Sequence, residues 1–180
     1  MLKKGVIQCA YMAMGFLALG NAAHADVSVV HLGSTVPAAE QVKEGLFPEE
    51  ACEQLRENGF KCMGFKPAVR FSISNAHFEL GSSELPASLK KQLDVFAQVL
   101  AARTHVDQPV LITGHADASG TAVLNQALSA ERAAAVRNYL VAKGVKPGLL
   151  RTSGKGDQHL ADSTNPFSSV NRRVEIGRLP

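Results

Sequence analysis

The order of strand and helix patterns in residues 68–176 is the feature that most constrains the fold of this 180-residue chain. Polar and apolar residues alternate early in this region, as in a strand, and apolar residues later recur every three or four positions, as in a helix. In chain order, the patterns are a strand over 69–73 with further alternation at 78–80, a helix that opens at Pro86, a strand over 109–113, a helix over 121–143, and strands over 151–155 and 170–176. This order predicts an α+β fold, a two-layer sandwich with the helices on one face of a mixed four-stranded sheet.

The first 25 residues have the three parts of a secretory signal peptide. Lys3 and Lys4 open the segment, an apolar run extends from Val6 to Leu19, and Ala23-His24-Ala25 closes it. The apolar run is too short for a membrane-spanning helix, which needs about 20 residues. We therefore expect cleavage after residue 25 and a mature protein that begins at Asp26 and has no membrane span. An uncleaved N-terminal anchor is the alternative.

The composition of the mature chain excludes several classes of ligand. The signal peptide contains two lysines and no acidic residue, so its removal leaves 17 basic against 16 acidic residues. No basic block remains that could neutralise a run of phosphates or an anionic membrane surface, so neither nucleic acid nor such a membrane is expected as a partner. The chain has no Trp and only two Tyr, which argues against stacking platforms for sugars or single-stranded nucleic acid.

Residues 26–68 are interpreted as a small N-terminal appendage with two short helices, Pro37–Leu46 and Pro48–Asn58. The second helix stops at a glycine, after which the chain can turn back toward the helix. Cys52 and Cys62 are the two cysteines of the mature chain, and export favours their oxidation to a disulfide. Two free thiols are the alternative, and the spacing matches no metal motif.

Three segments of the regular region carry motifs that occur together in one family. In chain order they are Phe78–Leu85; Gly114-His115-Ala116-Asp117-Ala118-Ser119-Gly120, followed by Asn125, Leu128-Ser129, Arg132-Ala133 and Val136; and Asn171-Arg172-Arg173-Val174-Glu175-Ile176. Together they resemble the OmpA-like C-terminal domain, the peptidoglycan-binding module of Gram-negative cell envelopes. The resemblance covers about residues 70–177, and the combination is more specific than any single short motif.

The resemblance implies non-covalent binding of the diaminopimelate residue in the peptide stem of peptidoglycan, without catalysis and without a cofactor. Asp117 matches the family's ligand for the ammonium group, Arg132 its ligand for the carboxylate, and Asn125 a position that lines the same pocket. The chain departs from the family at Ala116, where Thr is frequent, and at Gly81, where Asn or Asp is frequent. The implied partners are diaminopimelate-type peptidoglycan and another envelope or outer-membrane protein. The implied location is the periplasm, in association with the outer membrane.

A carboxylate and a guanidinium held apart suit a zwitterionic ligand, since arginine binds a carboxylate through two parallel hydrogen bonds. Spacing alone favours a simpler interpretation, in which Asp117 caps its loop and Arg132 is a solvated helix charge. In one unbroken helix, Arg132 would lie about 16 Å along the axis from Thr121 and could hardly contact the same ligand as Asp117. We therefore expect a short helix that ends near Leu128 and a second one with Ser129 as its N-cap, which would place Arg132 in a first turn.

The remaining motifs give little support to catalysis. His115 and Asp117 could ligate a metal with a third group, but no two histidines have the spacing of a zinc hydrolase. Residues 154–156 lack the pattern of a nucleotide-binding loop, and no nucleophile has an evident base. Arg172 and Arg173 are interpreted as braces of the last strand. The alternative to peptidoglycan binding is a structural or protein-interaction domain on the same fold, with an inert pocket.

Overall fold

The computed structural model describes residues 28–61, 66–74, 78–104 and 106–179. The predicted signal peptide, its cleavage site and Cys62 lie outside the described residues. In chain order, the elements are β1 (Val29–His31), α1 (Ala39–Leu46), α2 (Pro48–Glu57), β2 (Arg70–Ile73), α3 (Ala87–Ala101), β3 (Val110–Gly114), α4 (Ala122–Ala142), β4 (Leu150–Gly154) and β5 (Val174–Arg178), with short 3₁₀ turns at Pro147–Leu149 and Ser169–Asn171. The predicted order of strands and helices is confirmed from β2 to β5.

The strands form a mixed sheet in the order β1-β2-β5-β3-β4. β1 is parallel to β2 and β3 is parallel to β4, while β5 lies antiparallel between β2 and β3. The mixed sheet is confirmed, and it has one strand more than the four that were predicted. The additional strand is β1, which has three residues and is therefore too short to show a clear alternation in the sequence.

Helices α3 and α4 cover one face of the sheet. Phe71 of β2 meets Phe96 of α3 edge to face, with 5.4 Å between the ring centroids, which is a favoured arrangement for aromatic rings. The buried cluster also contains, from the same layers, Ile73, Leu89, Leu93, Leu100, Val110, Ile112, Ala133, Val136, Leu140, Val174 and Ile176. The predicted two-layer sandwich is confirmed, and its packing places α4 across the ends of β3 and β4.

The segment before β2 shares the sheet and the core with the rest of the molecule. Helices α1 and α2 agree with the predicted helices to within two residues at each end. Leu46 and Phe47 are fully buried, and the Gln92 amide of α3 donates hydrogen bonds of 2.9 and 2.8 Å to the carbonyls of Gly33 and Thr35. The division of the chain into an appendage and a domain stays a prediction, but the described part of the appendage is packed firmly against α3.

The prediction of a strand at residues 78–80 is wrong. Phe78 is buried, Leu80 is 69% exposed, and the chain turns at Leu80 and Gly81. Gly81 has a φ of 69°, a conformation that glycine adopts without strain. The apolar alternation therefore comes from a turn that buries the ring of Phe78 and exposes Leu80.

The predicted break at Ser129 is also wrong, because α4 is one helix of 21 residues. Its N-cap is Thr121, whose hydroxyl accepts a hydrogen bond from the Leu124 N–H at 3.3 Å. The Ser129 hydroxyl instead donates to the Gln126 carbonyl at 2.9 Å and accepts from the Gly156 N–H at 2.8 Å. Ser129 thus joins the middle of α4 to the loop after β4 and caps no second helix.

Candidate functional site

Two glycines bring α4 against the ends of two parallel strands. A Cβ atom on Gly114, at the end of β3, would lie 1.9 Å from the carbonyl oxygen of Ser129, and one on Gly154, at the end of β4, would lie 2.7 Å from the nitrogen of Ala130. Such an approach requires glycine, and it places the middle of α4 beside the loop after β3. Arg132 reaches this loop from an unbroken helix, since side chains on a helix lean toward its N-terminus.

Arg132 is fully buried, and three backbone carbonyls hold its guanidinium. Nε donates to Ser82 at 2.9 Å, Nη1 to His115 at 3.0 Å and Nη2 to Glu79 at 3.3 Å. The ring of Phe78 lies 4.8 Å from the guanidinium carbon, within cation–π range. Burial, followed by repulsion from a neighbouring arginine, lowers the pKa of Arg132 to about 10. Arg132 is therefore charged at neutral pH, and its interpretation as a solvated helix charge is wrong.

Asp117 lies in the loop after β3 and is 4% exposed. Its Oδ2 accepts a hydrogen bond from Arg172 Nη1 at 2.7 Å, and its Oδ1 accepts one from the Ser119 N–H at 3.1 Å. Burial alone would raise the pKa of this carboxyl, but the hydrogen bonds from Arg172 and Ser119 together outweigh burial and hold the pKa below its ordinary value. Asp117 is thus an ionised carboxylate that caps its loop and pairs with an arginine.

Arg172, interpreted from the sequence as a brace of the last strand, lines a cavity beside Asp117. Its Nε donates to the Phe78 carbonyl at 3.0 Å, and its side chain, 17% exposed, pairs with Asp117. Arg173 does brace the last strand, since its guanidinium donates two hydrogen bonds, of 3.0 and 2.7 Å, to Glu175. Arg172 directly follows the 3₁₀ turn Ser169–Asn171, before β5 begins at Val174, and the sequence gives no signal that separates the two arginines.

Asn125 is buried in the first turn of α4. Its Nδ2 donates to the Gly120 carbonyl at 3.3 Å and to Asp157 Oδ2 at 3.2 Å. The side chain therefore connects the loop after β3 with the loop after β4. Asp157 lies outside the three segments that carry the family motifs. Its position in the sequence therefore gave no reason to predict it as a site residue.

The structure brings Asp117, Asn125 and Arg132 together around one cavity of about 420 Å³, which Arg172 and Glu131 also line. The other lining residues are Leu80, Gly81, Ser119, Gly120, Leu124, Ala127 and Leu128. Two carboxylates and two guanidiniums thus surround a space of the size of a small-ligand pocket. The arrangement suits a small ligand that carries charges of both signs.

A second cavity of about 490 Å³ lies between α1, α2 and α3. Its charged residues include Glu50 and Arg103, which form an ion pair with each other. Arg103 also covers the ring of Phe47, with 3.5 Å between the guanidinium carbon and the ring centroid. Although this cavity is larger, none of the residues predicted for the site lines it, and its arginine is already paired and stacked.

The described residues contain neither a candidate metal cluster nor a candidate membrane span. Across the described ranges, no three His, Cys, Asp or Glu side chains are grouped so that they could hold a metal ion. In the same parts of the chain, no helix is both long and apolar enough to cross a membrane.

The fold and the charged cavity define a small α+β domain with a candidate site at the ends of two parallel strands. A model of the OmpA family matches residues 77–173, which is more than half of the chain. The protein belongs to the OmpA family. The resemblance found in the sequence is thereby confirmed.

Relatives of known name lie in the same family. The peptidoglycan-associated lipoprotein of Pseudomonas putida is 36% identical over 107 residues, which are 58% of this chain and 63% of that protein. Outer membrane protein A of Bordetella avium is 35% identical over 143 residues, 78% of this chain and 64% of that protein. This chain thus spans less than two thirds of the length of either relative. The structure of the peptidoglycan-associated lipoprotein from Burkholderia pseudomallei, 27% identical, matches with a TM-score of 0.51 over 60% of this chain and 89% of that one.

Proposed function

We propose that this protein binds peptidoglycan non-covalently through the diaminopimelate of the peptide stem and so anchors an envelope protein or complex to the cell wall. The observation that carries the proposal is the single cavity lined by Asp117, Arg132 and Arg172. The names of the relatives, peptidoglycan-associated lipoprotein and outer membrane protein A, support it. Recognition of a zwitterion needs fixed charges only, so the function includes no catalytic step and no cofactor.

The free end of diaminopimelate carries an ammonium group and a carboxylate on one carbon atom. Asp117 accepts the ammonium through the lone pairs that Ser119 and Arg172 leave open. Arg132 donates three of its five N–H groups to carbonyls, which leaves one on Nη1 and one on Nη2 for the ligand carboxylate. Arg172 has three N–H groups left and supplies a second cation beside the same carboxylate.

The same charges discriminate between kinds of peptidoglycan. A stem with lysine in place of diaminopimelate retains the ammonium group but lacks the second carboxylate. Arg132 and Arg172 would then lose the only anion that the ligand offers them. Lysine-type peptidoglycan should therefore bind more weakly, because an unmatched charge in a partly closed pocket is costly.

The location that follows from this function is the periplasm, at the outer membrane of a Gram-negative cell. An anchor also requires a second attachment, and the partner that fits this role is another envelope or outer-membrane protein. The predicted signal peptide accounts for export to this compartment.

One observation favours the alternative of an interaction domain with an inert pocket. Asp117 is paired with Arg172, and Arg132 has three carbonyl partners. The charged groups are thus satisfied without any ligand. In this alternative, they stabilise the loop after β3 and the protein has no affinity for peptidoglycan.

Co-sedimentation of the mature protein with insoluble diaminopimelate-type peptidoglycan distinguishes the two functions. Asp117→Ala, Arg132→Ala and Arg172→Ala should remain in the supernatant, and Arg132→Lys should bind weakly because lysine lacks the planar fork. Matched controls are Asp107→Ala and Arg56→Ala, which remove exposed charges far from the cavity. Thermal unfolding verifies that each variant is folded. A folded parent that stays in solution, or cavity variants that sediment like the parent, would establish the alternative.

A further inference from the structure

Asp157 contacts a residue of the cavity from the loop after β4. Its Oδ2 accepts a hydrogen bond from Asn125 Nδ2, and the other partner of Nδ2 is the Gly120 carbonyl. We propose that Asp157 is a positioning residue that directs Oδ1 of Asn125 toward the ammonium group of the ligand. This inference rests on the proposed function and adds a further acceptor for the ammonium group beside Asp117.

The orientation of the Asn125 amide follows from the chemistry of its neighbours. The two ends of an asparagine amide have nearly the same shape, so hydrogen-bond partners decide which end faces which way. An ionised carboxylate and a backbone carbonyl can only accept hydrogen bonds. Asp157 and the Gly120 carbonyl therefore both require Nδ2, which leaves Oδ1 without a hydrogen bond to either.

Oδ1 is left as an open acceptor. It has no hydrogen-bond partner among the described residues, and it is not one of the polar atoms sealed from solvent. A Cβ atom on Gly120 would lie 2.7 Å from Oδ1, and Gly120 and Asn125 both line the cavity. The absence of a side chain at residue 120 thus keeps the approach to this oxygen clear.

An ammonium group has three N–H donors, of which Asp117 can satisfy only part. Oδ1 of Asn125 offers a further acceptor in the same cavity. If the amide rotated by half a turn, Nδ2 would face the ammonium and two donors would oppose each other. Asp157 prevents this rotation, since its carboxylate cannot donate to Oδ1.

A double-mutant cycle tests this role with a defined probe, the tripeptide L-Ala-D-Glu-meso-diaminopimelate, titrated calorimetrically into the mature protein. Asp157→Ala and Asn125→Ala should each weaken binding about fivefold to tenfold, the loss expected for one hydrogen bond. The double variant should bind no more weakly than Asn125→Ala alone, because Asp157 acts through Asn125. The matched control is Gln158→Ala, which changes an exposed neighbour in the same loop.

Two further measurements separate positioning from a general loss of structure. The same tripeptide acetylated on the free amino group of diaminopimelate has no ammonium on that residue, so Asp157→Ala should leave its affinity unchanged. Gly120→Ala should weaken the unmodified tripeptide to a similar extent, because its Cβ atom crowds Oδ1 without removing a charge. Residue 120 does not have a left-handed φ, so alanine is tolerated by the backbone there.

The outcomes are distinct from those of the proposed function. If the parent binds the tripeptide and the two losses add in the double variant, Asp157 acts through its own charge, and the inference is overturned while the proposed function stands. An unchanged affinity in Asp157→Ala has the same consequence. A parent that does not bind the tripeptide overturns both. If Asp157→Ala does not fold, Asp157→Asn and Gly120→Ala decide the question, since each disturbs the amide with a smaller change.

Discussion

The molecule contains two carboxylate–arginine pairs with almost the same geometry and different surroundings. Arg172 lies 2.7 Å from Asp117, and Arg173 lies 2.7 Å from Glu175. The first pair borders the cavity with an arginine that is 17% exposed and a carboxylate that is 5% exposed, whereas both side chains of the second pair are 7% exposed. Pairing of charges therefore does not by itself mark a binding site. A position at the cavity and a more exposed arginine distinguish the open pair from the closed one.

The closed pair belongs to a charged cluster that also includes the buried His115 and the partly exposed Arg70. His115 Nε2 lies 3.6 Å from Glu175, and Arg70 lies 3.3 Å from it. Burial alone would raise the pKa of Glu175, but His115 and Arg173 outweigh burial and lower the pKa to about 2. The carbonyl of His115 accepts the hydrogen bond from Arg132. The closed cluster thus supports the backbone that holds the guanidinium of the open site.

The largest expected effect concerns the stability of the closed pair. Glu175→Ala leaves Arg173 buried without its carboxylate, so the free energy of unfolding should fall by about 3–5 kcal/mol. Urea denaturation measures this loss. The affinity of the folded fraction for peptidoglycan should stay close to that of the parent. A variant that loses binding while its stability is unchanged would reverse the comparison between the two pairs.

The open pair, together with Arg132 of the same cavity, should matter for binding. Asp117→Ala and Arg132→Ala should each cost about 2–5 kcal/mol of binding free energy, because the partner charge of the ligand is left unmatched. Calorimetry with the stem peptide measures the loss. For Asp117→Ala, the stability should fall less than for Glu175→Ala, since Arg172 can turn toward water. An equal loss of stability in both variants would show that both pairs are structural.

The fold was largely predictable because its main elements have long periodic patterns. Helix α3 presents a clean apolar stripe, and β3 opens with the apolar run Val110-Leu111-Ile112. β1 was missed because three residues carry too little pattern and its pairing with β2 depends on main-chain hydrogen bonds. The turn at Leu80 was mistaken for a strand because alternation over so short a stretch is ambiguous.

The candidate site was predictable only in part. The family motifs selected Asp117, Asn125 and Arg132, and the structure brings all three to one cavity. The expected helix break was wrong because it was argued from distance along the helix axis alone. The close contact between Gly114 and Ser129 brings the middle of α4 beside the loop after β3 without a break. Arg172 was misinterpreted because a pair of arginines at the start of a strand does not reveal which one faces which side. Tertiary packing decides both points.

Acid should abolish the contribution of the closed pair. The pKa of Glu175 is lowered from 4.5 to about 2, so its ionisation contributes about 3 kcal/mol of stability. A lowered carboxyl pKa stabilises the fold above the ordinary value, and this contribution is lost as the pH falls from about 4.5 toward 2. The stabilities of the parent and of Glu175→Gln should therefore converge over this range. Curves that stay parallel would mean that Glu175 has an ordinary pKa.

Removal of the predicted disulfide tests whether the two carboxylate–arginine pairs are independent of the N-terminal segment. Gly59 has a φ of 80° and the Phe60 N–H bonds to the Leu55 carbonyl, so the chain turns back after α2 as a Cys52–Cys62 bond requires. Loss of the bond should cost about 2–3 kcal/mol and loosen mainly the region around α2. Denatured, unreduced protein from the periplasm should show no labelled thiol. Labelling of both cysteines would refute the bond.

The smallest effect is expected at Glu131. This residue allows an exposed charge at the rim of the cavity to be compared with the buried carboxylate of Asp117. Glu131 lines the same cavity as Asp117 but is exposed at its rim. A charge in water is screened, so Glu131→Gln should change binding of the stem peptide by no more than about 1 kcal/mol. Raising the salt concentration should reduce even this difference, while the effect of Asp117→Ala persists, because buried pairs are screened much less. If Glu131→Gln weakens binding as much as Asp117→Ala does, the ammonium group lies at the rim of the cavity, and the paired carboxylate below it is structural.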